Sequence, residues 1–276
     1  VAPTLNIVGA GHVGRVLGRL FAQSGVFEVQ DVLTRSSASA QDAVRFIGAG
    51  RAVAAPRELR AAQVWMLAVG DDQIAPVCAA LAQQGLFGQA VVFHCSGAKA
   101  ASELQAAERK GARTASVHPV RSFADPDAVA AAFGGTWCGI EGEPDALALL
   151  TRAFEAIGAR LVPIDAPAKT VYHAASVFAS NYLVTVLDAA LRAYQAAGVP
   201  EQVARELARP LASETLANVF RLGPEAALSG PVARGDMATV ARQQAALASW
   251  DEPTAELYQA LVAATSDLAR RKRERG

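Results

Sequence analysis

The sequence is short of cysteine and aromatic residues, and it carries no surplus of charge of either sign. Its three cysteines, Cys78, Cys95 and Cys138, are odd in number and show no CxxC spacing, which argues against a disulfide framework and a structural zinc site. The 26 basic residues balance 26 acidic ones, so nothing in the charge points to nucleic acid or an anionic membrane surface. The one basic run, Arg270-Arg271-Lys272-Arg273, reads as the solvated last turn of a helix. No apolar run looks long enough and free enough of polar groups to cross a bilayer, and Val1-Ala2-Pro3 lead directly into a strand without a basic leader. A reducing cytoplasm is the expected compartment. What is abundant is hydrophobic residue, 52% of the chain against 19% charged, the composition of a folded globular protein. At 276 residues about two domains are expected.

Strand-like apolar runs occupy the first part of the chain. They fall at residues 4–9, 27–34, 64–69 and 90–93, with weaker ones near 114–117, 136–140 and 160–164. Alanine-rich helical patterns separate several of them, at 74–84, 102–110 and 144–157. Near-continuous apolar strands alternating with helices predict an α/β domain with a doubly wound, mainly parallel sheet over residues 1–164. After Ile164 strand signals vanish. Residues 165–276 read as an all-helical domain, with helices near 167–197, 200–221, 236–249 and 253–274 separated by Gly/Pro loops.

Between the first strand and an amphipathic segment lies Gly9-Ala10-Gly11-His12-Val13-Gly14. A GxGxxG match alone is weak, but strand before and helix after is the context in which each glycine has a task. Gly9 permits the tight turn, Gly11 lets backbone approach a pyrophosphate, and Gly14 allows helix–strand packing. The helix N-terminus then offers unpaired N–H groups to phosphate. A dinucleotide is therefore the expected ligand. After the second strand comes Thr34-Arg35-Ser36-Ser37, a cation and three hydroxyls in what reads as a helix-free turn. That set suits the 2′-phosphate of NADP, whereas Asp31, within the strand, is the competing ribose carboxylate.

In the helix near Pro167, Lys169, His173, Ser176 and Ser180 fall on one stripe at 100° per residue, with Asn181 beside it. Burying such groups without partners is costly, so the stripe is either satisfied by the protein or faces a wet cleft. Serines often bond back to their own helix; a lysine and a histidine one turn apart look more like a catalytic pair. His12 falls in the glycine loop, and His94 and His118 directly follow the strands at 90–93 and 114–117, where ligands of open α/β sheets bind. Three histidines and Cys95 could ligate a metal, but no short ligand spacing is present and no metal site is expected. The apolar residues around Val177-Phe178 and Tyr182-Leu183-Val184 suit a homodimer, although a lone chain could bury them in its own domain.

The combination of these segments with Ala68-Val69-Gly70-Asp71-Asp72, His94-Cys95-Ser96-Gly97, His118-Pro119 and the loop Gly230–Asp236 resembles a family of Rossmann-like oxidoreductases with a helical C-terminal domain of unknown function. That family is similar to pyrroline-5-carboxylate reductase, ketopantoate reductase and the β-hydroxyacid dehydrogenases. The resemblance covers nearly the whole chain. It implies an NADP-dependent reductase of a small carbonyl or imine compound, with its active site between the two domains. Gly9 to Gly14, Thr34 to Ser37, Ala68 to Gly70, Asp72, Ser96 and Gly97 would hold the cofactor. Better-known relatives carry a catalytic lysine followed one turn later by an asparagine. Lys169 matches the lysine, His173 breaks the pattern, and Asn181 comes later, so the proton donor stays open between Lys169 and His173. Ser96, His118, Ser176, Ser180 and the catalytic-site Asn181 would orient substrate, and Arg234 would meet a substrate carboxylate, unless it is a surface-loop arginine beside an Asp236 helix cap. A non-catalytic NADPH sensor is the competing expectation.

Overall fold

The computed structural model describes residues 1–275; Gly276, the end of the expected helical domain, lies outside them. Two compact units divide after Ser180. In the first, the strands are β1 (Thr4–Val8), β2 (Glu28–Leu33), β3 (Arg51–Val53), β4 (Val64–Leu67), β5 (Val91–His94), β6 (Arg113–Pro119), β7 (Trp137–Gly142) and β8 (Arg160–Pro163). The helices are α1 (His12–Ser24), α2 (Ser37–Ile47), α3 (Ile74–Gln83), α4 (Gln105–Glu108), α5 (Pro126–Ala131), α6 (Pro144–Ala156) and α7 (Lys169–Val177). The eight strands form one sheet in the order β3-β2-β1-β4-β5-β6-β7-β8. Every pairing is parallel except β6–β7, so the mainly parallel, doubly wound sheet is as expected.

The strands read as unbroken apolar runs because both faces of the sheet are covered. Successive side chains point to opposite faces. Leu5, Ile7, Val64, Met66, Val91 and Phe93 join one buried cluster with α1 and α6, where Phe154 meets Phe21 and Phe93 edge-on. Their neighbours Val8, Trp65, Leu67 and Val92 join the other, against α3. The ends of the parallel strands are thereby held in line, and the loops after β1, β2, β4 and β5 open on one edge.

Three elements differ from expectation. β3 is only three residues long and gives no periodic signal. The turn at Thr34–Ser37 is not helix-free: Ser36 caps α2, its hydroxyl accepting the Ser39 N–H at 3.2 Å, a use to which serine is well suited. His94 and His118 do not follow their strands but lie within them, as the last residue of β5 and the last but one of β6.

Among its described residues all the regular structure of the second unit is helical, with α8 (Leu183–Ala196), α9 (Glu201–Leu222), α10 (Pro224–Ala227), α11 (Pro231–Arg234), α12 (Met237–Trp250) and α13 (Glu252–Arg275). Arg192 of α8 holds Asp251 at 3.2 Å and Thr254 at 3.0 Å, tying α8 to the α12–α13 junction. Asp236 caps α12 through the Thr239 N–H. The Phe178–Tyr182 segment is a π-turn. Its i→i+5 bonding carries Ser180 and Asn181 off the simple 100° stripe. The helical stretch Ala166–Ala196 is, by length and composition alone, long and apolar enough to cross a membrane. This corrects the expectation that no run qualifies, because Lys169, His173 and the serines do not offset the surrounding apolar residues.

Candidate functional site

The glycine loop joins β1 to α1. Gly9 has φ +83°, and a Cβ there would lie 2.6 Å from the Ala68 carbonyl oxygen; one on Gly14 would lie 2.6 Å from the Gly9 oxygen. Both positions therefore require glycine. Gly11 differs, since nothing lies within 4 Å of where its Cβ would be. It is open, and as the residue capping α1 it makes no side-chain hydrogen bond to the helix N-terminus, leaving those N–H groups available to an anion.

This loop borders a cleft of about 930 Å³ whose walls include Gly9 to His12, Arg15, Thr34, Arg35, Ser39, Ala68 to Gly70 and Gln73. Arg15, which the sequence reading passed over, sits one turn into α1 and donates to the Ala10 carbonyl oxygen at 3.2 Å. Among the described residues lining the cleft there is no Asp or Glu. Asp31, the competing ribose ligand, is fully buried and engaged elsewhere: it accepts from Arg51 Nε at 2.9 Å, Arg60 Nη2 at 2.7 Å and the Arg60 backbone at 2.9 Å. Burial pushes its pKa up, but the Arg60 and Arg51 hydrogen bonds prevail and hold it below the usual carboxylate range. Asp72 lies exposed in the 3₁₀ turn Asp71–Gln73, whose member on the cleft is Gln73. Ser36 and Ser37 are spent partly on α2 itself, as its cap and as the acceptor of Gln41. Val13 is half-buried in the first turn of α1, and His12 Nδ1 meets the Phe123 carbonyl oxygen at 2.6 Å.

A second cluster forms where β5, β6 and β7 meet α7. His94 is wholly buried; its Nδ1 accepts the Ser96 N–H at 3.1 Å, so its Nε2–H donates to the Ala100 oxygen at 2.9 Å. Burial lowers its pKa to about 4, and the neutral ring fixes the loop after β5. The Ser96 hydroxyl caps that loop by accepting from the N–H groups of Ala98 and Lys99. Lys169 is 2% exposed. Its Nζ donates to the Ser96 oxygen at 3.1 Å and to the Ser116 hydroxyl, with Glu141 Oε1 at 3.8 Å. Burial lowers the lysine pKa, and the Glu141 carboxylate opposes that.

Above Lys169, His118 Nδ1 and Tyr172 Oη are 3.0 Å apart, and the His118 and His173 rings meet edge-on at 5.5 Å. His173 Nδ1 is buried without a partner. The structure thus gathers Ser96, Gly97, His118, Lys169 and His173, linking strands before residue 164 to the helix after it. Ser176 is half-buried and Ser180 exposed on the same helical stretch. Asn181 begins the second unit, its carbonyl accepting from Thr185, and Arg234 ends α11 exposed to solvent. Sequence reasoning missed Tyr172, Ser116 and Glu141. Tyr172 was adjacent to His173, and its only signal was that proximity.

Residues 3–119 match the family described as a Rossmann-like domain, and residues 136–265 match the domain of unknown function DUF2520. The chain joins a Rossmann-like domain to a DUF2520 domain. The resemblance read from the sequence is borne out in that respect. Among curated proteins none matches the sequence. The fold is similar to a proposed NADP oxidoreductase from Bacteroides fragilis, with a TM-score of 0.79 and 19% identity over 96% of this chain and 98% of that one. A Thermotoga maritima protein gives 0.72 and 28% over 98% and 99%. A pyrroline-5-carboxylate reductase from Coxiella burnetii gives 0.57 and 15% over 99% of each chain. The two of these with a named activity are oxidoreductases, and at their identities the likeness is one of fold.

Proposed function

We propose that this protein is an NADP(H)-dependent reductase of a small carbonyl or imine compound. The observation that carries the reading is the cleft beside the glycine loop, with free N–H groups at α1, an open face at Gly11, two arginines and no carboxylate among its described lining residues. The N–H groups suit a pyrophosphate. Arg35, just ahead of the α2 N-terminus, suits a 2′-phosphate through charge-assisted hydrogen bonds. An NAD reader would want an acid at the end of β2, and Asp31, the acid nearest that end, is held by Arg51 and Arg60.

When bound, the reduced nicotinamide supplies a hydride. The chain's own residues would do the rest. The loop Ser96–Gly97 would hold the nicotinamide end, beyond the carboxyl ends of the parallel strands where such ligands bind. His118 and His173 would face the substrate and set where its polar atom lies. Lys169 and His94 would keep that loop in place from beneath. The NAD(P)-linked oxidoreductases of like fold support the class of reaction, and the substrate is left to chemistry.

The test is a fluorescence titration with NADPH and NADH, followed by NADPH oxidation over a panel of keto acids, ketones and cyclic imines. Tighter binding of NADPH with turnover of at least one panel member is expected. Tight binding with no turnover anywhere would favour a cofactor-sensing module, and failure to bind either dinucleotide would overturn the reading.

A further inference from the structure

A hydride arriving at a carbonyl or imine carbon leaves charge on the neighbouring oxygen or nitrogen, so a reductase must also deliver a proton. Lys169 is poorly placed for it, being buried and already donating to Ser96 and Ser116. His94 is equally occupied. Glu141 is tied to Lys169 and to the Ala101 N–H, which leaves the rings of His118, Tyr172 and His173, and two glycines allow them to converge. A Cβ on Gly97 would collide with His173 Nδ1 and would stand 2.8 Å from His118 Nε2; a Cβ on Gly139 would stand 2.5 Å from Tyr172 Oη. Glycine at 139 lets the phenol reach His118 Nδ1, 3.0 Å away, and glycine at 97 lets two ring nitrogens approach one point.

We infer that Tyr172 and His118, packed against Gly97, form a proton relay that supplies the proton of the reduction; the inference rests on the reductase reading above. His118 gives its Nε2 proton to the charged heteroatom as the hydride from reduced nicotinamide reaches the adjacent carbon. The Tyr172 hydroxyl proton moves to His118 Nδ1, leaving a phenolate. Solvent then returns a proton to Nε2, and the Nδ1 proton goes back to the phenolate. The substrate gains one hydride and one proton, and the protein ends as it began.

A relay is needed because His118 carries no spare proton at neutral pH. Burial, with the charges of His173 and Lys169, holds it at about 4, so it can give a proton only if another follows. Burial also raises the Tyr172 phenol, which stays protonated, while the Gly139 backbone hydrogen bond opposes that rise and would steady the phenolate. The charged or titratable groups facing His118 are Tyr172, His173 and Lys169 of α7 and Asp71 of the turn after β4.

The test is nitrogen-15 NMR of the whole protein labelled at histidine, with only four histidines to assign. His118 should appear as a neutral ring with its proton on Nε2 and Nδ1 accepting. Tyr172→Phe should move the Nδ1 resonance to that of a ring nitrogen accepting no hydrogen bond, and Gly139→Ala, which would displace the phenol, should do the same. An Nδ1 resonance unchanged in both variants would overturn the relay. This measurement needs no substrate, so its failure is separate from failure of the reductase reading, which the dinucleotide titration decides. With any panel compound that turns over, Tyr172→Phe should lower kcat by about tenfold or more and leave the NADPH Kd unchanged. An unaltered kcat would equally overturn the relay.

Discussion

Lys169 Nζ, in the first turn of α7, donates to the carbonyl oxygen of Ser96, 3.1 Å away in the loop after β5. With Ser116 and Glu141 as its other partners, the ammonium joins two strands and that loop to one helix. Removing one member of a buried pair strands the other. Lys169→Met keeps the stem's apolar packing and should destabilise the fold by about 3 kcal/mol, near the lower end for such pairs, because 3.8 Å to Glu141 is long. Urea unfolding measures this. Adding Glu141→Gln should recover part of the loss. The charge also depresses His118, so His118 should titrate higher in Lys169→Met by NMR. Unchanged stability and an unmoved His118 would mean that Lys169 is not bound up in this network and is free for chemistry.

Acid should weaken the fold before its carboxylates protonate. His94 and His118 have pKa values lowered from 6.5 to about 4, chiefly by burial. Between those pH values the unfolded chain binds more protons than the folded one, so stability falls as the pH drops. For wholly buried His94 the loss should reach about 3 kcal/mol once the pH is below 4. Asp31, lowered from 3.8, adds its own loss only below that. Urea melts from pH 7 to 4 should show the decline, and His94→Gln should flatten it. A flat wild-type profile across that window would show that both rings titrate in the folded chain as they do in the unfolded one.

The parts of this architecture that local pattern dictates were legible. β1, the glycine loop and α1 could be placed because each glycine has a steric task that only that context sets. The long helices of the second unit could be placed from Gly/Pro punctuation. The helix α2 is less legible: its buried face, Ala40, Ala43 and Ile47, has helical spacing, but two of those three are alanines, which mark an apolar face weakly. The depth of Lys169 was illegible for a different reason. A helical wheel gives an angle, not a partner, and the groups that bind Lys169 lie 73 and 53 residues away. Tyr172 stands off the polar stripe on that wheel, and only the packing of Gly97 and Gly139 shows that it meets His118.

Two arginines of the cleft should act on different parts of a dinucleotide. Arg35 stands ahead of α2, and a charged hydrogen bond is worth roughly 1.5–3 kcal/mol. Arg35→Ala should therefore weaken NADPH by about ten- to a hundredfold and leave NADH nearly unchanged. Arg15 lies on α1 beside the glycine loop, where the pyrophosphate common to both would sit. Arg15→Ala should weaken NADPH and NADH alike. Fluorescence titrations of both variants with both cofactors decide it. Equal losses in Arg35→Ala would place Arg35 away from the 2′-phosphate.

The second unit buries few side chains completely. Among its described residues only Ala204, Val240, Thr254, Ala255 and Ala269 are buried, all small or β-branched. Meanwhile Val184 is 67%, Leu211 59% and Phe220 86% exposed. Val203, Leu207 and Leu211 recur every four residues and so share one face of α9, and an apolar hollow of about 400 Å³ stands open among α8, α12 and α13. Exposed apolar surface of this extent marks a surface that something covers, and a small unit with so thin a core is marginal alone. We take the cover to be a second copy of the chain. Light scattering at micromolar concentration should then give twice 28.6 kDa. Leu211→Asp with Phe220→Asp should give a monomer that unfolds at lower urea, since each buried apolar side chain contributes about 1.5–3 kcal/mol and the midpoint should rise with protein concentration only in the wild type. A wild-type monomer with a concentration-independent midpoint would overturn the dimer, and co-sedimentation of that monomer with lipid vesicles would transfer the apolar face to a membrane surface.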